Sequence, residues 1–192
     1  MEKDNLTGNF NVVVIGGSAG SLEVIIRILG ELRNNRIAIV LIIHRKASVN
    51  SSLAEFLKLK ASVGVKEAEE KEYISPGNVY IAPADYHLLI ESDGSVTLDY
   101  SEKINFSRPS IDVTFQCAAD AYANRVTGIL LSGGNSDGVY GLKVIKNAGG
   151  VCIVQDPETA LVSYMPQQAL IEKLPDKILT ATEIADFLNN IP

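Results

Sequence analysis

The amino-acid sequence predicts an α/β protein built on an open, mostly parallel sheet wound by helices on both faces. Three observations predict it. Two apolar runs, Val12-Val13-Val14-Ile15 and RIAIVLIIH over Arg36 to His44, lack polar alternation and read as strands buried on both faces. Between them Leu22, Ile25, Ile26, Leu29 and Leu32 fall on one helical stripe. A strand, helix, strand succession makes the two strands parallel, because only a crossover connection returns the chain in the same direction. The pattern then repeats further along the chain, which gives a doubly wound, Rossmann-like sheet.

Taken in order, residues 1–9 read as a short flexible tail, and residues 10–192 as a single domain. The first strand spans Phe10 to Ile15 and the first helix Ala19 to Arg33. The second strand spans Arg36 to His44. Ser52-Leu53-Ala54-Glu55 has capping-box spacing and starts a short helix to Lys60, followed by a small strand over Ser62 to Val65. Ser75-Pro76-Gly77-Asn78 is a turn. Val79–Ala82, His87–Ser92 and Ser95–Tyr100 read as short strands of an antiparallel hairpin insert, the last two joined at Asp93-Gly94. A loop over Ser101–Arg108 leads to a helix that opens at Pro109-Ser110 and runs to Ala123. Arg125–Leu131 is a buried strand, and Ser132–Gly138 a second glycine-rich crossing into a helix over Val139–Asn147, closed by Gly149-Gly150. Val151–Gln155 is a further strand, Met165–Lys173 a helix, and Thr180-Ala181-Thr182-Glu183 a second capping box that opens the last helix.

Composition narrows the function classes. The formal net charge is −6 and no basic stripe is visible, which argues against nucleic acid as a partner. No apolar run reaches the roughly 18–20 residues of a membrane span, and the N-terminus lacks a signal-peptide pattern. Cys117 and Cys152 each sit in an apolar stretch, as reduced buried thiols of a cytoplasmic protein would. No cysteine or histidine spacing points to a metal, and no cofactor is implied.

The chemistry-bearing stretch is FNVVVIGGSAGS, Phe10 to Ser21. It contains G-x-S-x-G between a strand and a helix, a setting that exposes the serine at the carboxyl end of a sheet. Two plainer readings stand beside it. The glycines could cradle a phosphate, but Ser18 and Ser21 occupy the second and third glycine positions of the dinucleotide fingerprint. Ser18 could also be a simple helix N-cap.

A nucleophilic serine needs a base and an orienting acid. Of the two histidines, His44 ends the strand parallel to that of Ser18, so both should face one crevice. His87 lies at the mouth of the insert, with no such argument, and is most simply a structural residue. Asp137, in the glycine loop after another strand, reaches the same edge by the same rule. Asp156 is the second candidate, and Asp112 and Asp120 fall inside a helix. The order Ser, His, Asp differs from the Ser, Asp, His of α/β-hydrolases.

The sequence resembles the catalytic domain of the bacterial chemotaxis protein-glutamate methylesterases, the CheB type. The matching stretches are VVVIGGSAGS (Val12–Ser21), LIIHR (Leu41–Arg45), PGNVYIAPADYHLLI (Pro76–Ile90), RPSIDVTFQCAA (Arg108–Ala119) and the run from Gly128 to Leu170. They are co-linear and cover nearly the whole chain. The resemblance implies a hydrolase with Ser18 as nucleophile, His44 as base and Asp137 as orienting acid. It also implies as substrate the glutamate γ-methyl esters on the cytoplasmic helices of methyl-accepting chemoreceptors or a similar signalling protein, with glutamine deamidation as a second activity. His87 matches a recurrent family histidine near the cleft, in a supporting role. For the oxyanion, the backbone N–H of Ala19 and the Gly133–Gly134 loop are the expected donors.

The chain departs from the usual family pattern, with Ser18-Ala19-Gly20-Ser21 in place of Ser-Thr-Gly-Gly. Ala19 stands where a threonine is usual, Gly134 where methionine is common, and the family's phospho-receiver domain and linker have no counterpart. The last departure predicts either a piece of a longer chain or a freestanding esterase domain, and nothing within these residues that phosphorylation would switch in cis. The readings that compete with a receptor methylesterase are a serine esterase acting on another protein ester and a non-enzymatic signalling module.

Overall fold

The structure, a computed structural model, describes residues 9–45 and 53–192. The expected tail, apart from Asn9, and Ser52 of the first capping box lie outside the described residues. In chain order the elements are β1 (Val12–Gly17), α1 (Ser21–Glu31), β2 (Ala38–Ile43), α2 (Leu53–Lys58), β3 (Gly64–Glu67), β4 (Asn78–Ile81), β5 (His87–Ile90) and β6 (Val96–Asp99). There follow α3 (Ile111–Tyr122), β7 (Val126–Leu130), α4 (Val139–Asn147), β8 (Val151–Gln155), α5 (Tyr164–Ile171), β9 (Lys177–Leu179) and α6 (Ala181–Asn189).

Seven strands form one parallel sheet in the order β3-β4-β2-β1-β7-β8-β9. From β1 the chain first builds one side of the sheet, through β2, the edge strand β3 and then β4 between them, and afterwards the other side through β7, β8 and β9, so the order reverses between β1 and β7. That reversal opens a crevice at the carboxyl ends of the central strands, where open α/β sheets hold their ligands.

Alternate residues of each central strand feed opposite layers, as the two-residue period of a strand demands. Val12, Val14, Val40 and Ile42 face a core shared with Ile111, Phe115 and Tyr122 of α3 and Leu142 and Ile145 of α4. Val13, Ile15, Ile39 and Leu41 face Ile25, Ile28 and Leu29 of α1 and Ile184 and Leu188 of α6. Both layers bury these side chains, so β1 and β2 carry no polar side chain.

The sequence reading needs correction in the middle of the chain. β4 is not part of an antiparallel insert. It pairs parallel with β2 and with β3, and only β5 and β6 form the separate antiparallel hairpin. Turn residues precede β4 and follow it, and that punctuation looks the same in either arrangement. The edge strand β9 was not anticipated at all. It has three residues, KIL, of which Lys177 and Ile178 are exposed, so it carries no buried run to read. The Thr180–Glu183 capping box forms, with the Thr180 side chain on the Glu183 N–H and the Glu183 carboxylate on the Thr180 N–H. Cys152 is buried as expected, whereas Cys117 is only half-buried.

Candidate active site

Ser18 leaves the end of β1 and His44 the end of β2. The two strands are in register through Gly17 opposite Ile43, and the His44 N–H donates to the Gly17 carbonyl at 3.1 Å. Ser18 and His44 are therefore the next residues of two adjacent strands at one rim. On the other side, the Ser18 N–H donates to the Ser132 carbonyl at 2.9 Å, which ties the turn to the loop after β7.

Ser18 is not the cap of α1. Gly20 holds that position with a φ of 82°, a left-handed conformation that glycine tolerates best. A side chain there would also meet Leu161 Cβ at 2.6 Å and Ser132 Oγ at 2.7 Å. The sharp corner thus falls on Gly20 and leaves the Ser18 hydroxyl uncommitted. No side-chain hydrogen bond engages it among the described residues, and Ser18 is half-buried at the crevice.

Asp137 is held more elaborately than His44. Asp137 is fully buried. Its Oδ2 accepts from His44 Nε2 at 2.8 Å and from the Ile111 N–H at 2.7 Å, while Oδ1 accepts from Ser110 Oγ at 2.9 Å and the Asp112 N–H at 3.1 Å. Ser110 is the N-cap of α3. The carboxylate therefore sits on a helix N-terminus, whose free N–H groups favour negative charge. Burial alone would raise its pKa. The hydrogen bonds from His44 and from the Ile111 and Asp112 backbone outweigh that and hold it below the usual carboxylate value.

A second carboxylate mirrors this arrangement. Asp112 Oδ1 accepts from the N–H groups of Gly138 at 2.9 Å and Gly141 at 2.7 Å, at the start of α4. Each of the two helices thus receives a carboxylate from the loop or first turn of the other. Asp112 pins the backbone of the residue that follows Asp137. Burial, followed by the Asp137 charge, pushes its carboxyl up to about 6, with the two N–H bonds opposing.

With Nε2 held by Asp137, His44 offers Nδ1 to a substrate-side partner. An ionised carboxylate only accepts, so Nε2 carries the proton and Nδ1 is the free base. Ser107 Oγ lies 3.4 Å from Nδ1. The open space beside His44 is a cavity of about 470 Å³ lined by His44, Arg45, Asp85, Lys103, Phe106, Ser107 and Arg108. Arg108 is fixed there by Asp85 at 2.9 Å, with its guanidinium 3.9 Å from the Tyr100 ring centre.

The remaining expected residues divide. The Ala19 N–H, on an exposed residue beside Ser18, has no partner among the described residues and is available to an oxyanion. Gly134 N–H is likewise unengaged. Gly133 is not available, because its N–H donates to the Val162 carbonyl at 3.0 Å. His87 does not line the cleft. It is buried behind α3, where Nδ1 accepts from the Ser110 N–H at 3.1 Å and Nε2 donates to the Glu102 carbonyl at 2.9 Å. It thereby positions the cap that holds Asp137. Asp156 caps a 3₁₀ turn, accepting from the Glu158 N–H, and Asp120 is exposed on α3.

The sequence marks Ser110 only as a helix start, ranks Asp112 low among the candidate acids and gives Ser132 no role of its own. Ser132 Oγ bridges the Ala19 carbonyl at 2.7 Å and the Val162 backbone. A serine before a helix and an acid in its first turn mark a local cap. Nothing local shows that the acid caps a different helix.

Fold and site together define a doubly wound α/β protein with a free serine beside a histidine–carboxylate pair at the switch point of its sheet. The comparisons agree on which one. A model of the family described as CheB methylesterase matches residues 13–188, and the chain belongs to that family. A Leptospira interrogans protein named putative protein-glutamate methylesterase/protein-glutamine glutaminase is 42% identical over 180 residues, 93% of each chain. A Thermotoga maritima protein named protein-glutamate methylesterase/protein-glutamine glutaminase is 38% identical over 181 residues, 92% of this chain and 53% of that one. The crystal structure of the Thermotoga maritima CheB methylesterase catalytic domain superposes with a TM-score of 0.92 at 36% identity, covering 96% of this chain and 100% of the other. No helix among the described residues is long and apolar enough to cross a membrane.

Proposed function

We propose that the protein is a cytoplasmic protein-glutamate methylesterase, acting on glutamate γ-methyl esters in the cytoplasmic helices of methyl-accepting chemoreceptors, with Ser18, His44 and Asp137 as its catalytic triad. The observation that carries the reading is the register of β1 with β2, which sets Ser18 next to a histidine whose Nε2 is 2.8 Å from a buried carboxylate.

In the acylation step, His44 Nδ1 takes the Ser18 proton as Oγ bonds to the ester carbonyl carbon. Asp137 stabilises the imidazolium through Nε2. The oxyanion meets the Ala19 and Gly134 N–H groups, and each such donor contributes about 3–4 kcal/mol. The carbonyl re-forms, the C–O bond to the methoxy group breaks, and His44 returns its proton to release methanol. Water then repeats the sequence on the acyl-serine and frees the glutamate. Attack on a glutamine side chain by the same path would release ammonia, which the second half of the relatives' names, protein-glutamine glutaminase, supports.

The test is methanol release from methylated receptor fragments. The native chain releases methanol, and Ser18→Ala abolishes release while leaving the fold intact. Turnover of small esters with none of methylated receptor would assign the site to another protein ester. Failure of the native chain to react with any ester would overturn the hydrolase reading.

A further inference from the structure

The loop between β6 and α3 contains a turn of unusual composition. Ile104 and Ser107 exchange backbone hydrogen bonds, Ile104 N–H to Ser107 O at 3.1 Å and Ser107 N–H to Ile104 O at 2.9 Å. They close a two-residue turn whose central residues are both left-handed, Asn105 at φ 50° and Phe106 at φ 63°. Turns of this geometry favour Asn-Gly, because the second position suits a residue without Cβ. Here asparagine takes the first position as expected, and a phenylalanine takes the second.

That phenylalanine is also 97% exposed. It pairs with no other ring among the described residues, so the fold gains nothing visible from it. Both the backbone and the hydration of this side chain oppose its placement. A left-handed phenylalanine beside the candidate site motivates a functional account.

The turn is tied to that site at two points. Ser107 Oγ lies 3.4 Å from His44 Nδ1, and Asn105 Nδ2 donates to Asp112 Oδ2 at 3.3 Å. Phe106 thus stands on the rim of the His44 cavity, on a turn anchored to the helix start that holds Asp137. A second bare apolar side chain stands by the nucleophile. Leu161, 79% exposed, lies against Gly20, where an added Cβ would approach its own Cβ to 2.6 Å. Its neighbour Val162 is pinned by both Ser132 and Gly133.

We propose that Phe106 is a substrate-binding residue that grips an apolar side chain next to the methyl ester, with Leu161 making the matching contact beside Ser18. The proposal rests on the methylesterase reading and names what that site recognises. The occupant is the methylated segment of the proposed substrate, engaged through an apolar side chain near its esterified glutamate. Recognition by two apolar contacts around a shallow site binds the substrate without entering the bond-making steps, so its loss appears in KM.

The test uses the full chain and a methylated receptor fragment. Phe106→Gly removes the grip and suits the turn, whereas Phe106→Leu keeps an apolar side chain in the same backbone setting. The expected result for Phe106→Gly is a KM at least tenfold higher, a kcat within twofold, and a melting temperature within about 4 °C of native, because relief of the left-handed backbone is offset by the greater freedom of glycine in the unfolded chain. Phe106→Leu should restore most of the KM. A Phe106→Gly enzyme with KM within twofold of native, or with kcat reduced as much as kcat/KM, would overturn the proposal. So would a melting temperature lowered by well over about 4 °C in Phe106→Gly and in Phe106→Leu alike, since it would show that the phenylalanine serves the fold. If the native chain itself releases no methanol from the fragment, the methylesterase reading fails instead, and the two failures are told apart.

Discussion

Replacing Asp112 with asparagine should stabilise the protein, and do so only above acidic pH. The carboxylate is 7% exposed and already receives two backbone N–H bonds at the start of α4. An asparagine Oδ1 accepts the same two bonds. The Asn105 side-chain amide can turn over to present its carbonyl to the new amide nitrogen, because its two ends are nearly the same shape. The substitution therefore removes a charge and keeps the hydrogen bonds.

The magnitude follows from the titration. The carboxyl moves from 3.8 to about 6 on folding, led by burial and reinforced by the Asp137 charge. At about 1.36 kcal/mol for each pH unit, this corresponds to about 3 kcal/mol as an upper value. The sign is set by the direction of the shift. A carboxyl whose pKa is raised by folding favours the folded state below its unfolded pKa, and that contribution is lost as pH rises through its folded pKa. The ionised native side chain is thus the destabilised form. Urea denaturation at pH 4 and pH 8 measures the difference. Native and Asp112→Asn proteins should have nearly equal stability at pH 4, and the variant should lead by about 1–3 kcal/mol at pH 8. A variant less stable at pH 8, or a gap that does not change between the two pH values, would refute the reasoning.

Three further outcomes follow from the same geometry. Asp137→Asn replaces an acceptor of four bonds with a group that must turn an N–H toward one of its donors, so kcat should fall on the order of 10⁴-fold in a methanol-release assay, with KM little changed. Gly16→Ala puts a Cβ 2.3 Å from Ile111 Cγ2, where α3 approaches β1. It should cost about 1–3 kcal/mol in denaturant and lower kcat as well, because Ile111 N–H is a donor to Asp137. Cys152 is buried, donates to the Leu142 carbonyl and has a thiol pushed up to about 12 by burial, so Ellman's reagent should label it only at the rate of unfolding.

The legible parts of this molecule were those with a local physical signature. The runs VVVI and IAIVLII announce strands buried on both faces, and their parallel pairing follows from the helix between them. That pairing alone brought Ser18 and His44 to one rim, and the loop after β7 brought Asp137. Where chemistry depended on distant partners, the sequence was silent. Asp112 looked like an ordinary residue of a helix first turn, yet its carboxylate caps the helix after Asp137. Gly133 belonged to the right loop, but its N–H is consumed by Val162, a contact across 29 residues of chain. His87 lies behind the α3 cap, bonded to Ser110 and Glu102. Its burial behind Ser110 could not be read from a hairpin pattern. β4 was assigned to the wrong sheet because four residues between turns carry no record of which neighbour they pair with.

The central claim is that Ser18, and no other hydroxyl near His44, is the nucleophile. Ser107 is the natural competitor, since its Oγ is the hydroxyl recorded at 3.4 Å from His44 Nδ1. Treating the native protein with a fluorophosphonate and mapping the phosphonylated peptide by mass spectrometry decides between them. The account predicts one adduct, on Ser18, that is lost in both Ser18→Ala and His44→Ala. An adduct on Ser107, or one on Ser18 that forms equally well without His44, would contradict it.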